Sequence, residues 1–294
     1  MNWSLSTGSL VLGTGYYKVN NLYDQIGPLK LIQSSSGVKA SLDGLLLARF
    51  IKPSPSFRVA DLGCGNGLMG LLLAKENPNC RLLGVEIQSE LIGQARQSAR
   101  INELDNIHFL QADLRNHPWK ENLERFDMVL ANPPFRKVGT GRISPDPSRA
   151  AARHELHGDV SDFARSATAL LRDGGTSTWI YLAERFDDLT AAVTAAGLQP
   201  VRTRYVISRA GNEPSLVLME ALRGEGLGIV YEEEPLILYR SGTGRDYTEE
   251  ARKIIYGEAN GESESRIQTK KAIPTKAVRA EIQYASSACF SRVY

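Results

Sequence analysis

From Phe57 onward the chain alternates short apolar runs with amphipathic stretches, and few architectures accept that rhythm. Arg58–Leu62, Arg81–Ile87, Ile107–Gln111, Phe126–Leu130 and Thr178–Leu182 read as strands. Leu68–Lys75, Ser89–Asn102, Val160–Leu171 and Phe186–Ala196 read as the helices between them. Strands separated by helices pair in parallel, because each crossover helix returns the chain to the same end of the sheet. The last helix runs into "AAGLQP", where Gly197 suits a C-cap and Pro200 a stop. Val201–Ser208 and Ser215–Leu222, joined by the turn-like "RAGNEP", then read as an antiparallel pair closing the sheet. The expected fold class is therefore α/β: a seven-stranded, mostly parallel sheet with one antiparallel strand and helices on both faces.

Two regions lie outside this pattern. Residues 1–52 hold β-like pieces ("YYKV", "LKLIQ") and then "GVKASLDGLLLARF", a loop entering a short helix. They are expected to form a small β-rich extension with a lead-in helix, ahead of a main domain over residues 53–257. Residues 258–294 are polar and lack periodicity, as in a flexible tail. The net charge of +2 is too small to demand a polyanionic partner, so any nucleic-acid reading rests on local clusters. The three cysteines are widely spaced and without CxxC pairing, which disfavours a disulfide framework or a metal site and suits a reducing cytoplasm. No apolar run is long enough to cross a bilayer, and the amino end lacks an export signal. The expectation is a cytoplasmic protein, a monomer, with no metal and no membrane partner.

The first strand runs into "DLGCGNGLMG", which parses in two ways. Gly65, Gly67 and Gly70 fit G-x-G-x-x-G, the dinucleotide fingerprint. Gly63, Gly65 and Gly67 fit G-x-G-x-G preceded by Asp61, the pattern of S-adenosylmethionine-dependent methyltransferases. An acid beside the loop suits a positive sulfonium cofactor and repels a pyrophosphate. Glu86 ends the second strand, where a carboxylate can accept ribose hydroxyls, and Asp113 follows the third, in reach of an adenine amino group. The fourth strand ends in "ANPPF". Proline cannot donate to a sheet ladder and restricts the residue before it, so Asn132, Pro133, Pro134 and Phe135 make a stiff corner presenting one amide and one ring. Polar or glycine groups thus stand at four successive carboxyl ends, where open α/β sheets bind ligands. The methyltransferase parsing accounts for all four.

With these motifs, roughly Phe57 to Leu222 resembles the class I methyltransferases carrying Asn/Asp-Pro-Pro-Tyr/Phe, which modify planar nitrogens. More closely it resembles the bacterial tRNA adenine-N6 methyltransferases that act on an adenosine in the anticodon loop of a valine tRNA. "GVKASLDGLLLARF", "RAAARHE" and "EPLILYRSGTGRDYTEEARKIIYG" resemble segments of that family. The resemblance implies S-adenosyl-L-methionine as cofactor, with Asp61, Gly63 and Gly65 along its methionine part, Glu86 at the ribose and Asp113 at the adenine, and with Gly67, Ile87 and Leu114 also among the cofactor-binding residues. Asn132, which also borders the cofactor, and the Pro133 carbonyl would accept from the target amino group. An exocyclic adenine nitrogen is a poor nucleophile because its lone pair is delocalised, and two acceptors on its hydrogens favour a tetrahedral nitrogen. Phe135 would stack on the flipped base.

The next segment, "RKVGTGRISPDPSRAAAR", sets Arg136, Lys137, Arg142, Arg149 and Arg153 against the single acid Asp146. Glycines and prolines make it a loop, and beside a base-binding corner it suits phosphates of a tRNA substrate. His154 and His157 are better read as caps or partners than as a base, since transfer from a sulfonium needs none. Two other readings stand: the same amide chemistry on a protein glutamine or an rRNA guanine N2, and a non-catalytic cofactor-binding RNA protein. Phe135 in place of Tyr and the β-like amino end count against the glutamine substrate.

Overall fold

Alternate residues of the central strands point to opposite faces, so each strand feeds two apolar layers at once. In Phe126–Ala131, Met128 and Leu130 join one layer and Val129 and Ala131 the other. The computed structural model describes residues 23–34, 40–51, 53–116, 125–135, 158–224, 228–242, 244 and 246–256. The "YYKV" piece, the basic segment 136–153, His154, His157, Cys289 and the tail 258–294 lie outside the described residues.

A short hairpin comes first, β1 (Asp24–Ile26) and β2 (Leu29–Leu31), followed by α1 (Leu42–Phe50). Ser41 caps α1 by accepting from the Gly44 N–H at 3.2 Å, which satisfies one of the helix's orphan donors. The βα series then runs β3 (Arg58–Leu62), α2 (Leu68–Glu76), β4 (Arg81–Glu86), α3 (Ser89–Ile101), β5 (Ile107–Gln111) and β6 (Phe126–Ala131). It continues with α4 (Val160–Leu170), β7 (Leu171–Leu182), α5 (Phe186–Ala195), β8 (Leu198–Ile207), β9 (Pro214–Arg223), β10 (Tyr231–Ile237) and α6 (Glu249–Tyr256). Among the described residues the sheet has eight strands in the order β10-β8-β9-β7-β6-β3-β4-β5. Only β9 among them runs against its neighbours, as the single antiparallel strand anticipated.

One apolar layer holds α1, α2, α3, α6 and the hairpin, with Leu29, Leu31, Leu45–Leu47, Leu71–Leu73 and Leu236 in one cluster. The other holds α4 and α5 over Trp179, Tyr181, Val217 and Met219. Each fully buried leucine contributes roughly 1.5–3 kcal/mol relative to exposure. The hairpin is tied to α3 by polar bonds as well. Asn102 Oδ1 accepts from the Lys30 N–H at 3.0 Å and Ser98 Oγ from Ile32 at 2.9 Å.

The eighth strand, β10, is not expected from the sequence, and its composition explains why. "YEEEPLI" puts three glutamates and a proline where a strand should show β-branched or aromatic residues. It survives at the sheet edge, where a proline costs least, and its register with β8 shifts between Glu233 and Leu236, across Pro235. Arg202 meets both Glu220 and Glu233 at 2.9 Å, so the neighbouring strand neutralises part of the charge. Strand β7 also begins earlier than its apolar run. Its Asp173–Gly175 portion reads as a turn, and the register against β6 shifts there. Helix α6 arises from the closing segment, with Ala251 and Ile255 buried on one face.

Candidate functional site

Strand β3 lies between β4 and β6, with Leu62 level with Val85 on one side and Ala131 on the other. The loop leaving β3 therefore emerges between Glu86 and Asn132. It turns through Gly63, Gly65 and Gly67 at φ of 66°, 57° and 84°, left-handed values that side chains resist. At Gly67 a Cβ would also meet Ala95 and Leu71 at 3.0 Å, so this glycine serves packing. At Gly65 a Cβ would meet nothing within 4 Å, so the backbone lies open to an approaching ligand. Gly67→Ala is accordingly expected to lower the melting temperature more than Gly65→Ala, since overpacking adds about 1–3 kcal/mol to the backbone strain. Gly65→Ala should instead cost ligand affinity. Thermal denaturation with and without S-adenosylhomocysteine separates the two effects.

Two acids brace this loop from below and beside. Asp61 is 2% exposed and its Oδ2 accepts from the Gly70 N–H at 3.1 Å, tying β3 to the first turn of α2. Its Oδ1 is buried with no hydrogen-bond partner among the described residues. Desolvation pushes the Asp61 carboxyl up to about 7, with the Gly70 N–H opposing and the nearby Glu86 charge adding to the rise. Glu86 is also buried, and it bridges two backbones: Oε2 accepts from the Gly65 N–H at 3.0 Å and Oε1 from Gln88 at 2.9 Å. A carboxylate offers about four acceptor sites, so capacity for two hydroxyls is left. Burial, then the charges of Asp61 and Glu86, push the Cys64 thiol well above its usual range, which leaves it unreactive.

Ile87 follows Glu86, half-buried, its carbonyl accepting from Gln111 Nε2 at 3.3 Å. Past β5, Asp113 accepts from the Arg115 N–H at 2.9 Å and receives the Arg115 guanidinium at 2.6 Å. Its carboxylate is thus braced by its own turn. Leu114 is buried, and its carbonyl accepts from Ser166 Oγ of α4 at 3.1 Å. At the end of β6, Pro133 is buried while Asn132, Pro134 and Phe135 are half-buried. The Asn132 amide makes no hydrogen bond to another described residue. The Phe135 ring meets Tyr181 of β7 edge-on, centroids 6.2 Å apart. The structure thus brings Asp61, the glycine loop, Glu86, Ile87, Asp113, Leu114 and Asn132–Phe135 to one carboxyl edge. Arg136, Lys137, Arg142, Arg149 and Arg153 lie outside the described residues.

Three further residues at this edge carry no mark in the sequence reading above. Gln33 Oε1 accepts from Ala40 N at 2.6 Å and from Asn66 Nδ2 of the glycine loop at 3.3 Å, joining the extension to the loop. Asp43, in the first turn of α1, is pushed up to about 6 by desolvation. Arg185, just past β7, donates Nη1 to the Phe135 carbonyl at 2.8 Å. The rule that ligands sit beyond strand carboxyl ends points to Arg185, whereas no local pattern marks the other two. Among the described residues no group of three His, Cys, Asp or Glu is placed to hold a metal. No described helix is long and apolar enough to cross a membrane.

Comparison with known proteins agrees with this fold. A family model described as a methyltransferase domain matches residues 53–193. The chain is 29% identical over 71% of its length to a tRNA1(Val) (adenine(37)-N6)-methyltransferase of Aeromonas hydrophila, covering 86% of that protein. It is 26% identical over 68% of its length to a protein of the same name from Bacteroides thetaiotaomicron, covering 83% of it. Among solved structures, a predicted O-methyltransferase of Agrobacterium tumefaciens superposes with a TM-score of 0.59 at 22% identity, over 74% of this chain and 97% of that one. That last likeness speaks for the fold.

Proposed function

The chain belongs to the class I methyltransferases, and on that premise we propose that it methylates the exocyclic N6 amino group of an adenosine in tRNA. The observation that carries the proposal is Asn132: an amide with no partner among the described residues, on a proline-stiffened corner, level with the glycine loop. The names of the relatives, which specify adenine N6 of a valine tRNA, support the same substrate.

S-adenosyl-L-methionine, when bound, supplies an electrophilic methyl group on a positively charged sulfur. The residues present fit it, because Asp61 Oδ1 is a buried acceptor left over and Gly65 leaves room at the backbone. Asp61, Gly63, Gly65 and Gly67 would hold the methionine part, Glu86 and Ile87 the ribose, and Asp113 and Leu114 the adenine. Asn132 and the Pro133 carbonyl accept from the target amino group and direct its lone pair. Phe135 carries the base on its ring face. Residues 53–257 make up the catalytic domain, and the hairpin β1–β2 and helix α1 of the extension pack against it. Every proposed contact comes from one chain, so a monomer suffices, and a tRNA substrate places its work in the cytoplasm.

The test is to offer labelled S-adenosylmethionine with bulk tRNA, rRNA and cell protein in separate reactions. Label should enter tRNA and appear as N6-methyladenosine after digestion. Label on protein glutamine or on rRNA guanine overturns the substrate, and cofactor binding without transfer overturns the reaction.

Arg136, Lys137, Arg142, Arg149 and Arg153 are assigned to tRNA phosphates. Replacing all five by Gln should weaken tRNA binding and flatten its salt dependence, the log–log slope falling by about 0.9 for each phosphate no longer neutralised. Affinity for S-adenosylhomocysteine should stay unchanged. Binding isotherms at several salt concentrations check this, and an unaltered slope would make the segment a bystander.

A further inference from the structure

Pro133 and Pro134 carry no N–H, so the corner has little means of anchoring itself through its own backbone. Its anchor comes from the next strand. After β7 ends at Leu182, the chain makes a short turn over Ala183–Arg185 and enters α5. The Arg185 side chain, 15% exposed, folds back over the sheet edge, its guanidinium carbon 5.2 Å from the centre of the Tyr181 ring. From there Nη1 donates to the Phe135 carbonyl and Nε to Asp188 Oδ2, each at 2.8 Å. Tyr181 is fully buried and meets the Phe135 ring edge-on, the planes 90° apart. Phe135 is thereby held at its carbonyl by one residue and at its ring by the residue that Arg185 covers.

Resting on the adenine-N6 reading above, we propose that Arg185 is a positioning residue for methyl transfer, fixing the carbonyl and the ring plane of Phe135 so that the target base is presented squarely to Asn132. Its hydrogen bond to the corner goes to Phe135, so its effect passes through that residue. The planar fork serves two acceptors in one plane while its face lies on an aromatic ring. Asp188 sets the fork's direction. A lysine can reach one acceptor as a point charge but cannot reproduce the fork.

The experiment uses the full chain with a tRNA anticodon stem-loop, once with the target adenine for turnover and once with 2-aminopurine in its place. The fluorescence of 2-aminopurine rises when it leaves the stack, and it therefore reports base placement apart from chemistry. Arg185→Ala should lower kcat about a hundredfold, the effect of misplacing a reacting group by about an ångström. It should also remove most of the fluorescence rise, while stabilisation by S-adenosylhomocysteine stays at the wild-type value. Arg185→Lys should recover part of both signals. If Arg185→Ala fails to fold, Arg185→Lys and Asp188→Asn carry the test, each expected to lower kcat and the fluorescence rise together. Near-normal turnover in these variants overturns the proposal, as does a loss of activity that tracks a loss of S-adenosylhomocysteine binding with a normal fluorescence rise. Wild-type protein that modifies no RNA overturns the adenine reading, and this proposal with it.

Discussion

Asn132→Ala is expected to lower turnover on tRNA by about a hundred- to a thousandfold while the melting temperature and affinity for S-adenosylhomocysteine stay near wild type. The amide is half-buried and bonds to no other described residue, so its loss leaves no buried group unpaired and little packing undone. In the proposed reaction its work falls on the substrate nitrogen as that nitrogen becomes tetrahedral. Interactions made mainly in the transition state lower kcat and kcat/KM together when removed. Phe135 is proposed to hold the bound base in its plane, so Phe135→Ala should weaken engagement of tRNA by the equivalent of roughly 1–3 kcal/mol of stacking and lower kcat as the base loses its placement. Phe135→Tyr should be tolerated, since the ring face is what the base meets. Steady-state and single-turnover kinetics on valine tRNA measure both. Transfer at near-normal rate by the Asn132→Ala protein would reduce the corner to a strand terminator and remove amino-group methylation from consideration.

Asp61 gives the second large effect, and it depends on pH. The folded protein holds this carboxyl at about 7 against an ordinary 3.8. Between those values the native state keeps a proton that the unfolded chain has released. Asp61's contribution to stability is therefore complete below about pH 4 and is lost as pH rises towards 7, by an amount on the order of 4 kcal/mol at most. Asp61→Asn should flatten this part of the stability profile, as urea unfolding at pH 5, 6, 7 and 8 would show. Binding reverses the preference. A positively charged ligand favours ionised Asp61, so affinity for S-adenosylmethionine should rise between pH 6 and 8 in the wild type and stay level in Asp61→Asn. A wild-type affinity independent of pH would mean that the Asp61 charge does not face the cofactor.

The parallel core is legible because strand and helix periods differ and glycine and proline mark the boundaries between them. Arg58–Leu62 and Ile107–Gln111 have the same bounds in the sequence pattern and in the structure. Strand β10 is hidden because tertiary pairing with Arg202 and an edge position override poor strand composition. At the site, glycine spacing and the strand-end acids are short-range signals. The bracing of Asp113 by Arg115 and of Phe135 by Arg185 depends on where a long side chain folds back, which spacing does not encode. The sequence marks Asp61 as a ligand contact, and the structure adds that one oxygen is already committed to Gly70.

The glutamates and proline of β10 bear on the protein while it is being made. Strand β8 lies between β9 and β10, and β10 is the last strand of the sheet in chain order among the described residues. A nascent chain that has extruded β9 but not residue 237 presents the whole outer ladder of β8 with nothing across it. Unpaired edges of that kind recruit strands from other chains, and a growing polypeptide adds only about 5–20 residues each second. When β10 arrives it replaces an inviting edge with one that is acidic and interrupted by a residue with no donor. Over the interval between those two events the outer edge of β8 is open to strands of other chains, and the pairing of "YEEEPLI" closes it.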